Sequence, residues 1–154
     1  MRANLHQEHE PNSKERLRLW LKILKLSSSV ESELRRRLRD QHDTTLPRFD
    51  VLAALSRYPD GLKMSELSGY LKVSNGNVTG IVDRLTEEGL ALRVAVPGDR
   101  RAFVVRLTPK GTDLFSVLAQ YHESWIDELL GNLTGEDAQH LKHLLDKALD
   151  DGSA

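Results

Sequence analysis

The chain has 154 residues, with 22 Lys and Arg side chains, 23 Asp and Glu side chains and no Cys, and 39% of its residues are apolar. This length and balance are typical of one soluble domain with a single core. The absence of Cys excludes disulfides, thiolate zinc sites and cysteine nucleophiles. The longest apolar run, Val51–Leu55, is far shorter than the ~18 residues that a membrane span needs, and the first residues lack a signal-peptide core. We therefore expect a cytoplasmic protein that does not contact a membrane.

The net charge of −1 conceals an uneven distribution along the chain. Residues 1–42 carry 10 basic and 6 acidic side chains, whereas residues 108–154 carry 3 basic and 9 acidic ones. Residues 63–107 are also basic, with 7 basic and 5 acidic side chains. Basic regions allow local contact with nucleic acid, but an imbalance of this size does not identify the partner.

Polar, unpatterned residues 1–13 predict a flexible N-terminal arm ahead of a long helix. Apolar residues recur at helical spacing over residues 14–39, with a polar interruption at residues 27–29. Asn12 and Glu15 have the spacing of a capping pair. The first helix is therefore expected to begin close to the end of the arm.

A second helix is followed by two shorter ones that are joined by a tight turn. Thr45 and Pro47 are a cap and a first-position proline, and the Pro-Asp-Gly sequence of residues 59–61 ends that helix. Residues 65–71 then predict a short helix, and the next helix ends at the C-cap glycine Gly89. The predicted buried face of this last helix consists of Val78, Ile81, Val82 and Leu85. The pair is typical of a helix-turn-helix motif.

The period then changes from that of a helix to that of a strand. Apolar residues alternate over residues 90–96 and 103–107, with a Pro-Gly-Asp-Arg turn at residues 97–100. A β-hairpin directly after a helix-turn-helix is the wing of a winged helix-turn-helix, which we place at about residues 46–108. The predicted fold class is mainly α with this small β-hairpin.

Two more helices complete the chain. A threonine and a proline at residues 108–109 start a long helix, and an imperfect capping box at residues 134–137 opens the last one. The helices at about residues 14–42 and 109–150 flank the winged unit, and their apolar stripes favour dimerisation. We expect one domain that covers residues 14–154.

The second helix of the helix-turn-helix presents a face that suits DNA bases. With its apolar residues inward, its outward face and borders contain Ser74, Asn75, Gly76, Asn77, Thr79, Gly80, Asp83 and Arg84. In winged helix-turn-helix units this helix enters the major groove, where base edges are distinguishable. Ser74 and Asn75 have an equally good alternative role as helix caps.

The hairpin tip carries Asp99, Arg100 and Arg101. A cationic tip suits a narrow, A·T-rich minor groove, where the negative potential is strongest. The alternative is an ordinary solvated turn. These three residues join the helix residues as candidate DNA contacts.

Two stretches of the sequence resemble the MarR (multiple antibiotic resistance regulator) family. Asp99–Thr108 resembles the D-x-R wing signature of that family, which ends in L-T, and Ser74–Leu90 resembles its recognition helix and glycine-led exit into the hairpin. The order of elements matches over residues 14–149, which is nearly the whole chain. The departure is Gly80, where the family often has a larger polar or basic residue, and a helical glycine costs about 1 kcal/mol relative to alanine.

The resemblance implies a homodimeric bacterial transcription regulator, a repressor that a ligand releases from a palindromic operator. It implies that Arg101 reaches the minor groove, that Asp99 orients it, and that Arg84 serves phosphate contact or internal pairing. The implied readers of bases or phosphates are Ser74, Asn75, Asn77 and Thr79. Trp20 and Trp125 lie on the apolar stripes of the terminal helices, and a two-fold pair would bury them and set the recognition helices about 34–36 Å apart.

The resemblance also implies a small aromatic or phenolic effector between the dimer helices and the DNA-binding unit. The candidate lining residues are Trp20, Leu24, Ser28 and Phe49. Small serines beside aromatic rings leave room for a ligand and supply polar anchors. Ordinary core packing is the alternative for each of the four.

Residues 48–85 resemble, more specifically, the branch of the family that governs hydroxycinnamate and related aromatic-acid catabolism, where the effector can be an aryl-CoA thioester. The phosphates of CoA need clustered cations. Four arginines in residues 35–39, with Lys22 and Lys25, are candidates, and we single out Arg36 as an effector contact. A solvated helix face or a contact with the DNA backbone is the alternative.

The sequence contains none of the common catalytic motifs on which an enzymatic function could be based. It contains no nucleophile elbow, no P-loop and no dinucleotide-binding glycine pattern. His122 and Glu123 are only half of a zinc-protease motif, because Ile126 stands where the second His is needed. We therefore expect neither enzymatic activity nor a cofactor.

Two other functions stay open. A metal-responsive regulator is one, because His140 and His143 share a helix face, although further ligands from His42, Asp43, His122 or Glu123 are not aligned by any pattern. A winged helix that binds protein is the other. Its support is an acidic helix end with Asp83, Glu87 and Glu88, against which stands the Arg100-Arg101 tip.

Overall fold

The computed structural model describes residues 11–71 and 75–150. In this part of the chain the elements are α1 Asn12–His42, α2 Leu46–Arg57, α3 Met64–Leu71, α4 Asn75–Glu87, β1 Ala91–Val96, β2 Asp99–Leu107, α5 Pro109–Leu129 and α6 Gly135–Leu149. This order confirms the predicted winged helix-turn-helix between flanking helices. The predicted arm, residues 1–13, lies mostly outside the described residues.

α1 is one continuous helix of 31 residues. It passes through Ser27–Ser29 without a break, because an ordinary residue costs at most about 0.7 kcal/mol of helix propensity. The predicted capping pair of Asn12 and Glu15 is wrong, since Pro11 occupies the N-cap position and no side chain caps the helix. Asp43, in the left-handed conformation with φ 50°, ends the helix.

The predicted threonine caps are confirmed at the starts of three later helices. The Thr45 hydroxyl accepts a hydrogen bond from the N–H of Arg48 at 3.3 Å, and the Thr108 hydroxyl accepts one from the N–H of Gly111 at 3.1 Å. The capping box at residues 134–137 is complete, with both of its bonds at 3.0 Å. These bonds satisfy N–H groups that a helix start otherwise leaves without a partner.

The recognition helix α4, the hairpin and α5 meet around Leu90. Gly89 has a φ of 74°, which a glycine adopts without strain, and the N–H of Leu90 donates to the carbonyl of Leu85 at 2.8 Å. The Leu90 carbonyl in turn accepts the N–H of Thr108 at 3.0 Å. A Cβ on Gly111 would lie only 2.0 Å from that carbonyl oxygen, so α5 begins in direct contact with the exit of α4.

The hairpin is regular at its base and irregular at its tip. β1 and β2 pair antiparallel up to Ala95 and Phe103, beyond which the register shifts and residues 100–102 have no partner in β1. The turn is confined to Pro97–Gly98 and is shorter than the predicted four-residue turn, because β2 begins at Asp99. The tip is therefore a bulged loop on a short ribbon.

The core lies within the winged unit and its contacts with the second half of α1 and with α5. Its buried side chains include Leu38, Leu52, Leu55, Leu67, Val78, Val82, Leu85, Val105, Leu118 and Trp125. In contrast, α6 has no buried residue, and the first half of α1 exposes Leu17, Leu19, Trp20, Leu21, Leu24 and Leu26. Within residues 11–71 and 75–150, none of the helices is long and apolar enough to cross a membrane.

A methyl group on Gly111 tests the contact between α5 and the exit of α4. We expect Gly111→Ala to lower the free energy of unfolding by about 1–3 kcal/mol, because the added Cβ meets a backbone carbonyl that cannot move aside. The matched control is Gly135→Ala, where no atom lies within 4 Å. Denaturant unfolding of both variants measures the difference, and equal effects would contradict the close contact.

Candidate nucleic-acid interface

The recognition helix α4 has the predicted inward and outward faces. Val78, Val82 and Leu85 are fully buried, and Ile81 is half-buried. The exposed residues of the same helix include Asn77, Thr79, Gly80, Asp83 and Arg84. The structure thus brings the predicted polar residues of the described part of α4 to one surface. Asn75 begins the helix, and Ser74 lies outside the described residues.

Gly80 lies in the middle of the exposed face of α4. An added Cβ would have no atom within 4 Å, so packing within the chain does not require a glycine here. Its effect is to leave the helix backbone accessible between Thr79 and Asp83. A ligand as large as a base pair can therefore approach the helix closely at this point.

The hairpin tip presents two cationic side chains to solvent. Arg100 and Arg101 are exposed, and neither forms an ion pair with any residue of the described part of the chain. The Asp99 carboxylate accepts the backbone N–H of Arg101 at 3.0 Å. Asp99 therefore orients the backbone at Arg101 and leaves its guanidinium available for an anionic partner such as DNA phosphate.

A second basic site, which the sequence did not reveal, lies beside the recognition helix. Arg48 of α2 and Arg84 of α4 line a shallow cavity of about 270 Å³ together with Thr45, Asn77, Gly80 and Ile81. Arg48 donates to the Glu88 carboxylate at 2.6 Å, and Lys110 donates to the Glu88 carbonyl at 3.0 Å. The Arg48 hydrogen bond holds the pKa of Glu88 below its usual range. The end of α4 is thereby attached to both α2 and α5.

The base of the wing is attached to the recognition helix in the same way. The Arg93 guanidinium of β1 donates to the Asp83 carboxylate of α4 and lies over the Phe103 ring of β2, 5.4 Å from its centroid. Asp83 and Glu88, two of the acidic residues that favour a protein-binding role, are therefore neutralised by cations within the chain. Among the described residues, Arg84, Arg100 and Arg101 are exposed basic side chains of α4 and the hairpin tip.

The candidate effector residues do not come together within one chain. Trp20 and Leu24 are 53% and 41% exposed on α1, and Ser28 is also exposed. Phe49 is buried instead, with its ring stacked on His122 at 4.6 Å between centroids, and burial lowers the pKa of this histidine. Three of the four candidates are thus exposed on α1, whereas Phe49 is already packed in the core.

An apolar cavity of about 430 Å³ lies between α1 and α6. It is lined mainly by Leu19, Ile23, Leu26, Val30, Leu130, Leu141, Leu144, Leu145 and Ala148. The four of these residues that belong to α1, Leu19, Ile23, Leu26 and Val30, lie on the face next to that of Trp20 and Leu24. The apolar surface of the terminal helices is therefore wider than the predicted stripe.

The arginine cluster of α1 is largely paired. Arg36 bonds with Glu33 and Asp40, and Arg37 bonds with Glu33 at 2.9 Å and with Glu128 of α5 at 2.8 Å. The hydrogen bonds from Arg36 and Arg37 lower the pKa of Glu33 to about 2. These pairs neutralise much of the charge that CoA phosphates would need. The helical spacing of Glu33 to both arginines was the signal for them in the sequence.

The predicted histidine pair lies on the exposed surface of α6. His140 and His143 line a shallow hollow with Glu136, Asp137 and Gln139. His42, a further candidate ligand, contacts the rings of Tyr121 and Trp125 elsewhere in the molecule. Among the described residues, no group of three or more His, Asp and Glu side chains can hold a metal ion.

Comparison with known proteins gives a consistent result. Residues 42–102 match the model of the MarR family. The chain is 36% identical over 119 residues to the transcriptional activatory protein BadR of Rhodopseudomonas palustris, a match that covers 71% of this chain and 68% of BadR. These similarities extend to solved structures.

A MarR family transcriptional regulator from Silicibacter pomeroyi has a TM-score of 0.77 and 34% identity, over 94% of this chain and 99% of that chain. A mutant of MarR from E. coli, in complex with operator DNA, has a TM-score of 0.74 and 29% identity, over 88% of this chain and 96% of that chain. Each of these proteins is a transcriptional regulator or a member of this regulator family, not an enzyme, as the sequence predicts.

Acid titration tests the Glu33 pairs. Because the folded pKa of Glu33 is lowered from 4.5 to about 2, its contribution to stability is present above pH 4.5 and is lost as the pH falls towards 2. We expect Glu33→Gln to be less stable than the wild type at neutral pH and to lose less further stability over that interval. Denaturant midpoints at several pH values measure this. The control is Glu123→Gln at an exposed site, and identical pH profiles for both variants would refute the assignment.

Proposed function

This chain belongs to the MarR family of transcriptional regulators, and from this premise we propose that it is a cytoplasmic, homodimeric repressor that a small ligand releases from a palindromic DNA operator. The observation that carries the proposal is the combination of the exposed polar face of α4 with the exposed cations of the hairpin tip. The two surfaces suit a major groove and an adjacent minor groove. The structure of the E. coli MarR mutant in complex with operator DNA supports DNA binding as well.

In this proposal Asn77 and Thr79 contact base edges, while Ser74 and Asn75 contact bases or phosphates at the start of α4. Arg101 enters the minor groove, Arg100 contacts the backbone beside it, and Asp99 positions the loop. Arg84 contacts phosphate from the basic cavity next to Arg48. Phosphate contacts supply most of the affinity, and the groove contacts supply the preference for one sequence.

Exposed apolar surface supports the homodimer. Leu141, Leu144 and Leu145 of α6 are each more than 40% exposed, as are the leucines and Trp20 of the first half of α1. Contiguous apolar surface of this kind is unfavourable in water and marks an interface. A two-fold pair that buries it places two copies of α4 on successive major grooves.

The proposed effector is a small aromatic acid or its CoA thioester. Its proposed binding residues are Trp20, Leu24, Ser28 and Phe49 for the ring. Arg36 would bind the phosphates of CoA by exchanging its exposed ion pairs with Glu33 and Asp40 for them. The family resemblance of residues 48–85 supports an aromatic effector. The exposed face of α1 supports a pocket that is completed when the second chain covers it.

Operator binding tests the DNA contact. We expect the protein to bind the intergenic DNA beside its own gene more tightly than random DNA, with an affinity that falls steeply as salt is raised. Arg101→Ala removes a minor-groove contact and should weaken this binding by about 5–150-fold, which corresponds to about 1–3 kcal/mol. Fluorescence anisotropy across a salt series measures both effects.

The matched control is Arg106→Ala, which removes the same charge from an exposed site nearer the base of β2. It should lower the affinity much less. Equal losses for Arg101→Ala and Arg106→Ala would reduce the role of the tip to general electrostatics.

Effector titration tests Arg36. If this side chain contacts CoA phosphates, Arg36→Ala weakens the release of the operator complex by an acyl-CoA thioester much more than its release by the free acid. The measurement is the concentration of each ligand that halves DNA binding. Arg16→Ala, which removes an exposed arginine of α1 outside the candidate cluster, is the control. Equal shifts for thioester and acid would count against the phosphate contact.

A further inference from the structure

Arg93 joins three structural elements through one guanidinium group. It lies on β1, donates to the Asp83 carboxylate on α4, and covers the Phe103 ring on β2. We define Asp83, Arg93 and Phe103 as the wing clamp. The clamp connects the exposed side of the recognition helix to both strands of the hairpin.

The clamp lies where the hairpin changes from regular to irregular. Arg93 pairs with Val105, which is fully buried, and Phe103 pairs with Ala95 in the last regular pair before the register shift. Beyond this level residues 100–102 have no partner in β1. An isolated two-stranded ribbon is only marginally stable, so the direction of the tip depends on contacts at its root.

The exposure of the clamp argues against a mainly stabilising role. The side chains of Arg93 and Asp83 are 34% and 50% exposed. Ion pairs at such exposed sites contribute little to folding, since solvent screens them and ordering two side chains costs entropy. The clamp therefore fixes geometry more than it stabilises the fold.

The charge of Asp83 allows two possible roles of this residue to be distinguished. Asp83 lies on the same face of α4 as Thr79 and Gly80, which is the face proposed to meet DNA. A carboxylate there repels phosphate, so simple electrostatics predicts tighter DNA binding when it is removed. If the carboxylate instead orients the wing, its removal should weaken DNA binding.

We propose that Asp83 and Arg93 are positioning residues that hold the hairpin at the angle at which Arg101 and α4 engage one operator together. This inference rests on the proposed function. It assigns specificity to two residues through their effect on the tip, without direct contact with a base.

The test compares two neutralised carboxylates on α4, with an operator obtained by selection from a pool of random DNA duplexes. We expect Asp83→Asn to weaken operator binding about 5–10-fold, which is the range of one modest coupling between sites. The control is Glu87→Gln at an exposed position that has no ion pair within the described part of the chain, and its binding should be unchanged or tighter. Asp83→Glu, which keeps the charge, should restore most of the affinity.

A double-mutant cycle with Arg101→Ala separates positioning from direct contact. If the clamp acts through the tip, Arg101→Ala costs less affinity in the Asp83→Asn background than in the wild type. The thermal midpoint of Asp83→Asn should stay within a few degrees of the wild type, so that loss of folding does not explain the result.

Four outcomes would overturn the proposal. Tighter binding by Asp83→Asn means that the carboxylate acts on DNA by repulsion and does not orient the wing. A full loss of affinity on Arg101→Ala in the Asp83→Asn background means that the clamp and the tip act independently. A wild-type protein that selects no DNA sequence overturns the proposed function and the wing clamp together. If the wild type prefers one DNA sequence and Asp83→Asn binds that sequence with unchanged affinity, only the role of the wing clamp is overturned.

Discussion

The packing around the Leu90 peptide is the constraint on which the rest of the winged unit depends. The chain leaves α4 through the left-handed Gly89, and the next carbonyl accepts the N–H that precedes α5. Gly111 packs against the same carbonyl with no room for a side chain. Helix α4, the hairpin and α5 therefore share one closely packed junction, where backbone contacts help to set their relative directions.

Charged side chains extend this junction outward. Arg48 and Lys110 hold the end of α4 at Glu88, Arg93 holds its middle at Asp83, and Arg37 connects α1 with α5 through Glu128. Each pair is at least partly exposed, so each contributes modestly to stability. Their common property is that they join elements of secondary structure, and two of them attach α4, which we propose to contact DNA.

Periodicity and capping chemistry were sufficient to predict the order of elements, the buried face of α4 and the position of the wing. They worked because threonine caps, proline and glycine act locally, within a few residues of the helix end. The predicted cap of α1 was wrong by one residue. The spacing of Asn12 and Glu15 predicted Asn12 as the N-cap, but the helix already begins at Asn12 and Pro11 occupies the N-cap position. The shortened turn at Pro97–Gly98 depends on strand register, which local chemistry does not determine.

The candidate site was predicted less completely than the fold. Exposed residues of α4 and the tip follow from the helical and strand periods, but the partners of Glu88 are 40 and 22 residues away along the chain. Such pairs arise from tertiary packing and leave no periodic signal. The candidate effector residues show the same limit, because Phe49 is buried in the core while Trp20 is exposed on α1.

The composition of α4 has a consequence for the kind of operator that suits this protein. From Asn75 to Asp83 the helix contains no Lys or Arg, and Gly80 contributes only backbone. Paired hydrogen bonds to guanine, the commonest specific contact in the major groove, are therefore absent from its first turns. Discrimination then depends more on how readily a sequence narrows its minor groove and bends. If α4 and the hairpin tip contact an operator as proposed, its A·T content and the width of its minor groove would matter more than guanines read from the major groove.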